Sequence, residues 1–132
     1  MELLHKELTD IILKTFYGVY NELQYGFWEN VYEKAMLLEL TESGLKVERQ
    51  KTIEVFYKGR ALGQYVTDLI VENKVILELK AQPMINEAHE AQLLHYLRAT
   101  TFEVGLLLNF GNKPEFRRKV FANERKKFSN RP

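Results

Sequence analysis

Apolar residues recur at helical spacing over the first third of the chain and at strand spacing over the middle. From about Leu3 to Gln24, the positions Leu4, Leu8, Ile11, Ile12, Phe16, Val19, Tyr20 and Leu23 form one stripe, which predicts a helix. Gly26 supplies its stop. A second helix is predicted from about Trp28 to Ser43, with Tyr32, Met36, Leu37 and Leu40 inward. Gly44 then offers a left-handed cap, against which Leu45 can fold back. From Lys46 the alternation of Ile53, Val55 and Tyr57 predicts a strand over Val47 to Tyr57, bent near Gln50-Lys51. Lys58-Gly59-Arg60 turns it into a strand over Leu62 to Val71, and Glu72-Asn73-Lys74 turns that into a third, Val75 to Ala81. Pro83 ends the third strand. Asn86 can cap a helix from Glu87 to about Thr100. Phe102 to Asn109 reads as an apolar strand, and after the break at Gly111 to Pro114 a basic, helical segment is expected to close the chain. A strand reached through a helical crossover is expected to pair parallel to an earlier one. The result is α/β: a mixed sheet flanked by helices.

At 132 residues the chain fits one domain, and its 45% hydrophobic and 28% charged residues are those of a soluble globular protein. The absence of cysteine excludes disulfides, zinc-thiolate sites and thiol nucleophiles, and suits a reducing cytoplasm. The N-terminus carries charge and no long apolar run, so neither a signal peptide nor a membrane span is expected. A net charge of +1 conceals an uneven distribution. Residues 1–33 carry six acids against Lys6 and Lys14, whereas residues 113–132 carry eight bases against Glu115 and Glu124. Such a basic end can lie along a phosphate backbone, or can equally be one solvated face of a helix.

The middle strands carry charges where burial should forbid them. Val66-Thr67-Asp68-Leu69-Ile70-Val71 and Val75-Ile76-Leu77-Glu78-Leu79-Lys80 are apolar on both faces, and a charge in such a run must be paired or bound to an ion. Alternation puts Glu78 and Lys80 on the face of Ile76. Asp68 joins them only if the intervening turn is odd in length. A three-residue turn, Val71-Glu72-Asn73 with Asn73 left-handed, pairs Asp68 with Ile76 and achieves this, whereas a two-residue turn would point Asp68 away. Two adjacent carboxylates repel unless a cation or proton lies between them. All-oxygen ligands suit Mg²⁺ or Mn²⁺ far better than Zn²⁺, and Lys80 could orient a water or meet charge developing on a phosphate. A structural Asp/Glu–Lys ion network explains these two strands equally well.

On the next helix His89, Gln92 and Tyr96 form a polar stripe beside Leu93, Leu94 and Leu97. His89 and His95 do not share a face, which argues against a two-histidine metal site. The series Asp68, Glu78-x-Lys80, Gln92-x-x-x-Tyr96 resembles the RecB-like branch of the PD-(D/E)xK nuclease superfamily. The blocks Gly26-Phe27-Trp28-Glu29, Val31-Tyr32-Glu33-Lys34-Ala35, Gly44-Leu45-Lys46-Val47-Glu48-Arg49-Gln50, His89-Glu90-Ala91-Gln92-Leu93-Leu94 and Leu108-Asn109-Phe110-Gly111 are similar to the GxxExxxxR protein family over roughly residues 10 to 112. Three departures stand out: Lys34 in place of Arg, Thr67 in place of Pro, and Tyr20-Asn21-Glu22-Leu23 where a histidine is expected.

The resemblance implies a restriction-endonuclease-like αβββαβ core with an extra N-terminal helix. It implies that Asp68, Glu78 and the Leu79 carbonyl hold Mg²⁺ or Mn²⁺, with Glu29 binding directly or through water. Lys80 would serve the attacking water, and Gln92 and Tyr96 would touch phosphate or brace the site. The expected function is hydrolysis of nucleic acid, DNA first, without a membrane; a homodimer would enlarge the grip on a duplex. A non-catalytic nucleic-acid- or protein-binding module on the same scaffold is the alternative. Other charges read as surface features: Glu33 as a solvated or Lys-paired residue, Glu48 and Arg49 as sheet-edge charges. Trp28 and Phe27 could stack a base, but packing beside the Gly26 turn is the stronger expectation.

Overall fold

A computed structural model describes residues 3–126. The first two elements are helices, α1 (Lys6–Leu23) and α2 (Glu29–Glu42), and their apolar stripes bury Ile12, Phe16, Val19 and Tyr20 on one and Tyr32, Met36 and Leu40 on the other. α1 ends at Gln24, itself left-handed at φ 58°, two residues before Gly26. α2 ends as expected: Gly44 takes φ 89° and the Leu45 amide returns to the Leu40 carbonyl at 3.2 Å.

The two long middle strands form one antiparallel pair that bends halfway. β1 (Val47–Arg49) and β2 (Thr52–Tyr57) run opposite β4 (Leu69–Val71) and β3 (Arg60–Val66). Arg49 faces Leu69 and Thr52 faces Val66, so the pairing persists through the kink. Gln50 takes φ 50° there, and the bonds Gln50 N–H to Asp68 O (2.8 Å) and Thr67 N–H to Lys51 O (2.9 Å) bridge it. The bend divides the pair between two sheets. β2 and β3 form a separate hairpin, while β1 and β4 join β5 (Val75–Lys80), β6 (Val104–Phe110) and β7 (Pro114–Val120) in the order β1-β4-β5-β6-β7. β5 and β6 are parallel, joined by α3 (Glu87–Ala99), whose first turn is capped by the Asn86 side chain accepting from His89 N–H at 2.9 Å. The αβββαβ order is thus present, with α1 as the additional helix.

The central sheet is covered on both faces. Leu69, Val71, Val75, Leu77, Leu79, Leu106 and Leu108 pack against α1 and α2. Ile70, Ile76 and Leu107 pack with Leu93 and Leu97 of α3. Gly105 permits the close approach of α3, since a Cβ there would lie 2.8 Å from a Leu93 methyl. No helix among the described residues is long and apolar enough to cross a membrane.

The expected basic helix after Gly111 is not formed over residues 114–120, where the chain is the strand β7. β6 is buried along its whole length, and without β7 its outer edge would leave backbone groups unpaired. Alternation then sorts the charges. Arg117 and Lys119 meet Glu90 of α3 at 3.6 and 2.9 Å, while on the other face Phe116 joins the core and Arg118 donates to the Leu4 carbonyl. Pro114 is tolerated because it opens an edge strand. The basic residues from 127 onward lie outside the described residues.

Asn109, fully buried at the end of β6, clamps the chain leaving β5. Its amide accepts from Gln82 N–H at 3.0 Å and donates to Gln82 O at 2.9 Å. Gly111 lies against the same segment, where an added Cβ would meet Gln82 O at 2.3 Å, and Tyr20 holds it by donating to the Gly111 carbonyl at 2.8 Å. Asn109→Ala removes both clamp bonds and is expected to lower unfolding stability by about 2 kcal/mol. Urea denaturation of the two proteins measures this directly.

Candidate active site

The position of Asp68 is decided by the turn between β4 and β5. The loop is three residues long, Glu72-Asn73-Lys74, with Glu72 and Asn73 left-handed at φ 54° and 53°. Its odd length agrees with the expectation, but its register differs by two residues from the one expected. Val71 does not enter the turn: it pairs with both Val47 and Val75 and is fully buried, and exposing it would forfeit that core contact. Leu69 faces Leu77, so Asp68 falls level with Glu78 rather than with Ile76. A slip of two residues preserves facing. Asp68, Glu78 and Lys80 therefore share the α3 side of the sheet, continuing the row of Ile70 and Ile76.

The backbone also ties the two strands together here, as Leu79 N–H donates to Asp68 Oδ2 at 2.7 Å. Glu78 gains no such relief. Its Oε1 is buried without a hydrogen-bond partner, and burial together with the Asp68 charge pushes its carboxyl up to about 8, against the opposing pull of Lys80. Glu29, in the first turn of α2, reaches the same place from the other side of the sheet. Its carboxyl is raised by burial, lowered by Lys80 and raised again by Asp68, and it accepts a hydrogen bond from the Ala81 backbone.

From α3, Tyr96 lies within the field of Glu78 and is hydrogen-bonded by Gln92; burial and Glu78 both raise its phenol. His89 faces Lys80, and burial followed by that ammonium lowers its pKa. The predicted residues Glu29, Asp68, Glu78, Lys80, Gln92 and Tyr96 thus converge at the carboxyl end of β5, with the Leu79 side chain in the core beneath.

Three surroundings differ from expectation. Glu33 is not a solvated surface charge: it is 5% exposed and paired with Arg49 at 2.7 Å. Burial raises its carboxyl, Asp68 raises it further and Arg49 opposes both. Its spacing of four residues from Glu29 already placed both on one helical side. Arg49 is correspondingly the counter-charge of a buried carboxylate, whereas Glu48, with Lys46 and Lys51, behaves as the sheet-edge charge expected. Trp28 does not pack into the core, being 82% exposed, and Phe27 does so only in part, 47% exposed with its ring edge-on to Tyr32. A residue not foreseen is Tyr65 of β3, whose ring stacks on Tyr96 (centroids 3.6 Å, 10° apart) and whose buried hydroxyl has no hydrogen-bond partner. Burial, Glu78, Tyr96 and Asp68 all raise its phenol. The alternation of β3 with Ile53 opposite could have placed it, but the register of that hairpin shifts between Val55 and Phe56, which no local pattern records.

The donors fit a hard divalent cation. Asp68 and Glu78 are adjacent and offer only oxygen, and Glu78 keeps a buried oxygen unpaired. Among the described residues no group of three or more His, Cys, Asp or Glu side chains could hold an ion by itself. A hard divalent cation such as Mg²⁺ commonly takes one or two carboxylates and completes its shell with water and phosphate oxygen.

A raised carboxyl also makes the folded state pH-sensitive. Below the ordinary value of 4.5, Glu78 is protonated in both folded and unfolded chains and costs nothing. Between 4.5 and about 8 the folded chain holds the proton that the unfolded chain releases, so stability falls as pH rises through that window. Denaturation midpoints of the metal-free protein should decline over this range, and Glu78→Gln should flatten the decline. An unchanged slope in the variant would place the sensitivity elsewhere.

A search of curated proteins finds no match. Among solved structures the chain is similar to the "Crystal structure of SSO0001", with a TM-score of 0.52 at 14% identity. That match covers 70% of this chain and 50% of the other, a likeness of fold. The family model of the PD-(D/E)XK nuclease superfamily matches residues 6–119, nearly the whole described chain. This chain belongs to the PD-(D/E)XK nuclease superfamily.

Proposed function

We propose that the chain is a divalent-metal-dependent nuclease that hydrolyses phosphodiester bonds. The carrying observation is the Asp68–Glu78 pair: two carboxylates facing one another across β4 and β5, one oxygen buried and unpartnered, with Lys80 on the same face. A buried carboxylate oxygen without a partner in a hydrophobic strand is costly, which favours a bound cation over a structural role.

Asp68 and Glu78 would hold Mg²⁺ or Mn²⁺, assisted by the Leu79 carbonyl, with Glu29 acting through water. The ion, when bound, supplies charge neutralisation at the scissile phosphate and a more acidic attacking water. Lys80 orients that water and meets negative charge as it develops on the phosphate. Asp68 is itself fixed by the Leu79 amide, so its orientation does not depend on substrate. Gln92 and Tyr96 contact phosphate from α3, and the Tyr65 ring holds Tyr96 in place. Glu33, neutralised by Arg49, supports the second helix beside Glu29. Membership of the GxxExxxxR family within the RecB-like branch is part of this reading, supported by the Gln92–Tyr96 pair on the helix after Lys80. So are DNA as the preferred substrate, a cytoplasmic setting and a homodimer.

Lys80→Ala should reduce cleavage by about 10²-fold or more while leaving thermal unfolding nearly unchanged. The check is a nuclease assay over single- and double-stranded DNA and RNA with Mg²⁺ or Mn²⁺. Full activity in the variant would remove Lys80 from the mechanism. Calorimetry supplies a second measure: the wild type should bind Mn²⁺ and Asp68→Ala should lose that binding. No binding by the wild type would instead favour a non-catalytic binding module.

A further inference from the structure

We infer that Trp28 is a stacking platform for an unpaired nucleobase next to the scissile phosphate, which makes single-stranded nucleic acid the form this site engages. The inference rests on the nuclease reading above and specifies its substrate.

Trp28 is 82% exposed, the most exposed large hydrophobic side chain among the described residues. Its backbone is nonetheless held firmly. Tyr32, stacked on Phe110 in the core at 4.2 Å, accepts from Phe27 N–H at 3.1 Å and donates to the Gln24 carbonyl at 2.5 Å. The Phe27 ring meets Tyr32 edge-on at 6.1 Å, and Trp28 O accepts from Val31 N–H at 3.0 Å. A loop braced this way from below presents an indole that is left largely open among the described residues. An exposed aromatic ring on a fixed backbone is well suited to binding.

Its position selects the occupant. Trp28 immediately precedes Glu29, whose carboxyl accepts from the Ala81 backbone and lies in the fields of Lys80 and Asp68. Trp28 is therefore one residue along the chain from a side chain of the candidate metal site, and a base beside a phosphate held there is the occupant we assign to it. A contact to the base would add to those that Gln92 and Tyr96 make to phosphate. An aromatic face supplies one to any base, but only if the base has left its duplex stack.

Trp28 is the only tryptophan in the chain, so its fluorescence reports the contact without interference. With Ca²⁺ in place of Mg²⁺ to slow cleavage, a short single-stranded oligonucleotide should quench emission, and the same sequence as a blunt duplex should not. An oligonucleotide carrying abasic sites should quench weakly. By anisotropy of a labelled strand, Trp28→Ala should bind about tenfold more weakly, whereas Trp28→Phe should stay within about threefold of the wild type. Quenching with Trp28-dependent binding in a chain that never cleaves would uphold the platform and remove the hydrolytic reading. Cleavage restricted to duplex, or equal affinity of Trp28→Ala for the single strand, would overturn the platform and leave hydrolysis intact. A blue shift with rising protein concentration, matched by a dimer that Trp28→Ala loses in sedimentation, would assign the indole to a second copy instead. Binding to no nucleic acid overturns the inference outright.

Discussion

Leu69 pairs with Leu77 at the centre of the sheet, and this register brings Asp68 level with Glu78. Both leucines are fully buried against the two N-terminal helices, as are Val71 and Val75 at the end of the same ladder. Moving β4 by one residue would turn those side chains out of the core and Asp68 into it. The apolar face of the sheet thus enforces the juxtaposition of charges on the other. Carboxylate repulsion, which would separate the pair in water, is overcome by hydrophobic burial distributed over several residues.

The remaining site is assembled around that pair by elements that approach from opposite faces. α2 brings Glu29 and Glu33 past the end of β5, and Arg49 neutralises the deeper of the two. α3 brings Tyr96 and Gln92 over the sheet, at a closeness that Gly105 permits. The hairpin β2–β3 adds Tyr65 as a lid on Tyr96. Asn109 and Gly111 fix the segment just after Lys80, so the motif at the end of β6 has a structural purpose tied to the end of β5. Superfamily membership agrees with this layout, and a solved structure at 14% identity shares the fold.

Much of this was legible in the chain because it rests on short-range regularities. Helical stripes gave α1, α2 and α3, and the Asn86 cap lies where expected. The parallel pairing of β5 and β6 follows from the helix between them. Asp68, Glu78 and Lys80 could be found because charge inside a doubly apolar strand has few explanations. The basic C-terminal segment misled, since its charges and aromatics carry no strong period. Its state was set by the unpaired edge of β6, which no local pattern records. Glu33 misled for a related reason: a glutamate four residues from another reads as surface until Arg49, on a different element, is known to reach it.

By itself the sequence determined the three helices and the strand segments up to β6, their order, the mixed α/β class and the residue types of the candidate site. Periodicity and turn chemistry act within a few residues, and those properties depend on nothing more distant. Only the tertiary structure decided the register of β4 on β5, the stacking of Tyr65 on Tyr96, the burial of Glu33 with Arg49 and the exposure of Trp28. Each depends on which surfaces meet after the chain has folded back on itself. The three residues that first drew notice, Asp68, Glu78 and Lys80, were visible as anomalies in two strands. What made them neighbours was the need to keep Val71 and Leu77 out of water.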